Sequence, residues 1–199
     1  MLLMVTSANE LLEMINHPDC EELTVTTGVS WQNYEKLINQ LSDDSFYRLS
    51  YLDGTLSILS PSRSHETIKK RIAILLEAYL IQQQIPFYPL GSTTFRQESK
   101  RGGKEPDESY CLGTEKDFPD LAIEVIISSG GMDSLAIYQR LPIPEVWFWQ
   151  NNSLRIYTLH DGEYREQSQS QLLPSLDRSL FIDCVQQTDI SAAIQQLFS

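Results

Sequence analysis

An α+β fold, with a central mixed β-sheet flanked by helices, is what this 199-residue sequence predicts. Three observations carry the expectation. The runs YRLSYLDGTLSILS and LRIYTLHDGEYREQSQS alternate apolar and polar residues around Asp53-Gly54 and Asp161-Gly162, dipeptides that favour tight hairpins. The stretch HETIKKRIAILLEAYLIQQQ repeats its apolar residues at helical spacing. DLAIEVII and EVWFWQ are nearly continuous apolar runs, as expected of strands buried on both faces.

In chain order, NELLEMI and WQNYEKLINQL have helical spacing, with Ser30 placed to cap the second. The Asp53-Gly54 hairpin comes next. From Ser64 to about Gln84, the residues Ile68, Ile72, Leu75, Leu76, Tyr79 and Leu80 share one face of a long amphipathic helix. GSTTFRQE and DESYCLG read as short strands, and DLAIEVII as a central one. DSLAIYQRL is a helix stopped by Pro142, which has no N–H to continue it. EVWFWQ is a further strand, with Trp147 and Trp149 on one face, and is read as buried rather than as an interface. The second hairpin and a helix, DISAAIQQLF, complete the chain. No repeat or linker is visible, and 41% hydrophobic content suffices for one core. A single domain over 1–199 is expected, with helices in 1–45, the core in 46–149 and a hairpin and helix in 150–199.

Composition narrows the class. The opening MLLMVTSANELLEMINH has neither a basic start nor a long apolar stretch, so a signal peptide or membrane anchor is not expected. Cys20, Cys111 and Cys184 are odd in number and lack a CxxC pair, which fits free thiols in a reducing cytoplasm better than a zinc site. A net charge of −12 argues against a general nucleic-acid coat. Residues 63–104 nevertheless hold eight of the fifteen basic residues and only three acids. Lys69, Lys70, Arg71, Lys100, Arg101 and Lys104 are the candidate phosphate contacts there, and a solvated helix and loop would read the same way.

Two acids interrupt the apolar DLAIEVII run. Asp120 and Glu124 point to one face of a strand but stand about 13 Å apart, four steps of about 3.3 Å. One divalent ion needs oxygens at about 2.0 to 2.6 Å, so Glu124 requires a partner from a neighbouring element. Asp107 in KEPDESYCLG is the natural candidate: its strand turns at Gly113 and returns through Pro119 beside Glu124. Asp120 then serves to cap backbone donors or adds a ligand. Two carboxylates on adjacent strands suit Mg²⁺ or Mn²⁺ bound alongside a phosphate. The alternative is a buried Glu124 paired with an arginine or with backbone donors.

YLDGTLSILSPSRSHE, PDESYCLG and PDLAIEVIISSGGMD, followed by AIYQRL and IPEVWFW, together resemble the Uma2 family, a branch of the PD-(D/E)XK, restriction-endonuclease-like superfamily. The resemblance runs from about Phe46 to Trp149. It implies a restriction-endonuclease-like core that hydrolyses DNA with Mg²⁺ or Mn²⁺, commonly as a homodimer. The first acid of the motif falls on Asp107 and the second on Glu124, with the backbone carbonyl of Val125 completing the metal site. An assisting acid or histidine on the first long helix would be His65 or Glu66. Packing at the helix start explains His65 equally well, and a favourable first-turn charge explains Glu66.

The superfamily lysine two residues after the second acid is absent: Ile126 stands there, and the last lysine of the chain is Lys116. In sequences similar to Uma2 the lysine lies on the following helix, at the position of Ser134. Serine can hold a water but carries no positive charge. Arg140 can position a phosphate but not act as a base. Lys100 or Lys104 would have to reach the site from the other side. Losing the lysine's contribution would cost roughly 10²- to 10⁴-fold in rate. The expected function is a metal-dependent DNA endonuclease with catalytic residues Asp107, Glu124 and Ser134. The alternatives are a degenerate nuclease fold that acts as a nucleic-acid-binding or regulatory module, and a structural protein in which the acids satisfy a buried polar network.

Overall fold

The computed structural model describes residues 21–41, 47–127 and 133–199. The NELLEMI run, expected as a helix, Cys20 and residues 42–46 and 128–132 lie outside the described residues. The order of elements is β1 (Glu22–Thr26), α1 (Trp31–Leu41), β2 (Arg48–Leu52), β3 (Thr55–Ser60), α2 (Arg63–Gln82), β4 (Phe87–Pro89), β5 (Phe95–Gln97), β6 (Gly102–Lys104), β7 (Glu108–Leu112) and β8 (Leu121–Ile126). It continues through α3 (Ser134–Tyr138), β9 (Glu145–Gln150), β10 (Ser153–His160), β11 (Glu163–Gln167), α4 (Arg178–Gln186) and α5 (Ile190–Leu197).

Turn chemistry sets the hairpins. Asp53 and Gly54 have φ of 46° and 93°, and Asp161 and Gly162 have 51° and 83°. Each pair forms the two-residue loop that matches strand twist. Asn151 and Asn152, at 52° and 56°, do the same between β9 and β10. Side chains cap the helices. Ser30 Oγ accepts from Asn33 N at 3.2 Å, as the sequence suggested, and Ser62 Oγ accepts from His65 N at 3.1 Å to open α2.

These elements build two sheets. The six-stranded sheet runs β11-β10-β9-β8-β7-β4 and is mixed, because β8 and β9 pair in parallel across α3. One face, carrying Ile123, Val125, Trp147 and Trp149, packs under Ile72, Leu76 and Leu80 of α2 and under α4 and α5. The opposite face carries Ala122, Val146 and Phe148 and meets Tyr138 and Leu141. Both tryptophans of EVWFWQ are therefore core residues. The second sheet, β1-β3-β2-β6-β5, is antiparallel throughout and is covered on one face by Trp31, Tyr34 and Ile38 of α1.

The sequence reading foresaw one sheet, not two, and it missed β1, β4, β6 and α4. Three of these four are strands of three to five residues, too short for a two-residue period to register. Cys111 and Cys184 are buried free thiols. No helix of the described residues is long and apolar enough to cross a membrane.

Candidate active-site cleft

Strand register brings the two motif acids together. β7 and β8 pair antiparallel with Glu108 opposite Ile123 and Tyr110 opposite Leu121, so one further step sets Asp107 beside Glu124. Their hairpin turns at Gly113, whose φ is 78°. Glu124 lies opposite Phe148 of β9, on the face of the sheet away from α2. Both carboxylates line a cleft of about 340 Å³ between the two sheets. Ser50, Ser57 and Lys104 of the antiparallel sheet form one wall; Ile126, Phe148 and Gln150 of the mixed sheet form another, and Ser134 of α3 lies at the same cleft.

Asp107 is 3% exposed and is held at both oxygens. Oδ2 accepts from Val125 N at 2.7 Å, and Oδ1 lies 2.9 Å from His65 Nε2, off the N–H axis. The other ring nitrogen, Nδ1, lies 2.7 Å from Glu21 Oε1. His65 thus sits, fully buried, between two carboxylates. Burial disfavours its charged form, but Asp107 and Glu21 outweigh that and hold the imidazole above its ordinary range. For Asp107 burial pushes the pKa up, and the opposing pull of His65, the Val125 N–H and Lys104 leaves it below the usual carboxylate range.

Glu124 has different partners. Oε1 accepts from the buried Tyr138 hydroxyl, and Oε2 lies 3.0 Å from Lys104 Nζ. Burial raises its pKa, with Asp107 adding to the rise and Lys104 and Tyr138 opposing it. The two acids are therefore driven in opposite directions by their surroundings, Asp107 toward the charged form and Glu124 toward the protonated one. Carboxylates shifted by burial and a specific charge partner, and lining a cleft, are candidates for a functional site.

The remaining candidates are placed unevenly. Val125 lines the cleft, and its carbonyl leaves the strand on the same side as the N–H that holds Asp107. Ile126 puts an apolar side chain where the superfamily lysine would be. Ser134 is the first residue of α3, capped by Asp133. Glu66 is not part of the cleft's lining; it pairs with Lys69 Nζ at 2.5 Å and lies 3.6 Å from Arg48, which does line it. Asp120 stays at the far end of β8, where it accepts from Leu112 N at 2.7 Å and pairs with Lys116. That is the backbone-capping place of its two expected roles.

The basic face also divides. Lys69 is 6% exposed and paired inward with Glu66, while Lys70 and Lys100 face solvent and Arg71 is half-buried. Arg101 and Arg140 both reach Asp53, at 3.7 and 2.9 Å. Lys104 is inside the cleft, not on the surface.

Sequence reasoning missed Glu21, Tyr138 and Glu145. Glu21 and Tyr138 complete the polar shell of the site. Glu145 is fully buried and accepts from Trp147 Nε1 and Ser170 Oγ, each at 2.6 Å, and from Gln171 N at 2.8 Å, so it pins the loop after β11 rather than serving the cleft. Nothing in spacing distinguishes these residues; only Glu145, a lone acid at the head of an apolar run, carried a signal.

Two sheets with helices on the faces of the mixed one are consistent with a restriction-endonuclease-like fold. The model of the Uma2 family, described as "Putative restriction endonuclease", matches residues 31–191, about four-fifths of the chain, and the chain belongs to that family. The match takes in α1, the C-terminal hairpin and α4, well beyond the motifs around Asp107 and Glu124. No curated protein matches the chain.

Proposed function

We propose that this chain is a divalent-metal-dependent endonuclease that hydrolyses phosphodiester bonds of DNA, with Asp107 and Glu124 as its central acids. The observation that carries the reading is the pair itself: two buried carboxylates of adjacent strands at one cleft, tuned in opposite directions. Among the described residues no three His, Cys, Asp or Glu side chains converge as a metal cluster. The donor set is instead the Asp107 and Glu124 carboxylates with the Val125 carbonyl. These are hard oxygen donors, which fit Mg²⁺ or Mn²⁺ by chemical type. Such an ion supplies charge neutralisation at the phosphodiester and makes water more acidic.

The chain's own groups do the rest. Val125 N–H and the His65 ring fix both oxygens of Asp107, and Tyr138 fixes one oxygen of Glu124, so neither carboxylate must be ordered when substrate arrives. Ser134 can hold a water at the cleft. Of the cations of residues 63–104 only Lys104 lines the cleft; Lys70, Arg71 and Lys100 lie outside its lining, Arg101 reaches Asp53 and Lys69 is paired with Glu66. Two such clefts in a homodimer would address both strands of a duplex together, so a homodimer belongs to the proposal, as does a cytoplasmic setting that keeps Cys111 and Cys184 reduced.

The test is nicking of a supercoiled plasmid in Mg²⁺ and in Mn²⁺ by the unmodified protein and by Glu124→Gln. Nicking by the first and its loss in the second is the expected result. A second reading has one observation in its favour: all four oxygens of Asp107 and Glu124 already have protein partners. DNA binding with no cleavage in either metal would favour that reading, a nuclease fold kept as a binding module.

A further inference from the structure

We propose that Lys104 is a catalytic residue of this cleft, delivered from β6 of the antiparallel sheet to the acids of the mixed sheet. The inference rests on the nuclease reading and names a cation that the acids' own strand does not supply. Lys104 is 8% exposed, yet it lines the cleft, with Nζ 3.0 Å from Glu124 Oε2. Among the described residues Glu124 is its one ion-pair partner. An ammonium has three N–H groups. One serves Glu124, which leaves two for a water and a phosphate oxygen.

The local sequence is shaped to bring it there. A Cβ on Gly102 would fall 2.4 Å from Arg140 Cβ, and one on Gly103 would fall 2.3 Å from the Tyr34 hydroxyl. Only a strand bare at both positions can pass between α3 and α1. The next residue, Lys104, is opposite Ser50 on one side and Phe95 on the other, and its side chain enters the cleft. Glu105 anchors the chain just beyond β6, accepting from Leu49 N at 2.9 Å and from the Thr94 hydroxyl at 2.6 Å.

In the hydrolysis a water oxygen forms a bond to phosphorus and one ester P–O bond breaks. One proton of the water ends on the released sugar oxygen, and the other stays with the new phosphate monoester or passes to solvent. Lys104 remains an ammonium throughout. It donates to the attacking water, which orients it, and to a non-bridging phosphate oxygen, where negative charge builds in the transition state. Ser134, which lines the same cleft, can do neither with a charge.

The experiment compares the unmodified protein, Lys104→Gln and the double variant Lys104→Gln with Ser134→Lys, with Glu124→Gln as the control. Three readouts are taken: melting temperature, the initial plasmid-nicking rate in Mn²⁺, and metal-free binding of inorganic phosphate by calorimetry. Lys104→Gln should remain folded, lose roughly 10²- to 10³-fold in rate and bind phosphate at least fivefold more weakly. The double variant should recover at least tenfold of the lost rate. If Lys104→Gln does not fold, Lys104→Met carries the same comparison. Unchanged rate and phosphate affinity in a folded variant would overturn the role of Lys104 and leave the nuclease reading standing. If the unmodified protein nicks no faster than Glu124→Gln, the nuclease reading fails and this role falls with it.

Discussion

His65 shows how the site divides labour between fold and chemistry. Its ring lies between Asp107 and Glu21, all three nearly or wholly out of water. Removing the ring takes one partner from each of two buried carboxylates, and breaking a buried pair of this kind costs about 3 to 5 kcal/mol. His65→Ala should therefore lose stability of that order in urea unfolding, far more than a surface substitution would. The pH dependence has two arms. His65 is held above its ordinary pKa, so its contribution is present at low pH and is lost as pH rises through the folded value. Asp107 is held below its ordinary pKa, so its contribution is present above the unfolded value and is lost as pH falls through the depressed one. The pair should contribute fully between about pH 3.9 and 6.5, and His65→Ala should flatten both arms. The Asp107–Glu124 partnership was legible in the sequence because a glycine turn and a proline return fix the register of a short hairpin. His65 could be named but not placed. Its partner Glu21 is 44 residues away, and periodicity carries no information about such pairs.

β6 ties the fold to the proposed chemistry. It is three residues long, it gave no sequence signal, and it carries Lys104. Its two glycines are there for close approach, not for a special turn. Gly103→Ala would press a methyl into the Tyr34 ring, which stacks on Tyr51 at 4.7 Å and has little room to move. Overpacking of this kind costs about 1 to 3 kcal/mol. The expected result is a lower unfolding midpoint together with a loss of nicking rate larger than a comparable destabilisation produces in Phe181→Leu, a buried position remote from β6 and outside the cleft's lining. Equal losses would mean that β6 supports only the fold. The longer elements read correctly because each had a period or a turn to announce it: α2 by its apolar face, the hairpins by Asp-Gly, and β8 and β9 by their apolar runs. Of the antiparallel sheet only the β2–β3 hairpin and β5 were legible; β1 and β6, brought to it from opposite ends of the segment between Glu22 and Lys104, were not.

At the scale of the molecule, the candidate site belongs to neither sheet alone. Acids from the mixed sheet, a lysine from the antiparallel one and a serine from the intervening helix face a single cleft in a protein of net charge −12. The acidity argues against a general nucleic-acid coat, and the proposed function asks only for a few local cations at the cleft. Every step of the nuclease reading depends on divalent metal binding, with the Asp107–Glu124 pair accepting an ion beside Lys104. The decisive experiment is a calorimetric titration of Mn²⁺ into the unmodified protein and into Asp107→Asn, each shown to be folded. One site on the unmodified protein, weakened at least tenfold in Asp107→Asn, is the predicted result. No binding to the unmodified protein, or equal binding to both, would contradict the metal-dependent nuclease.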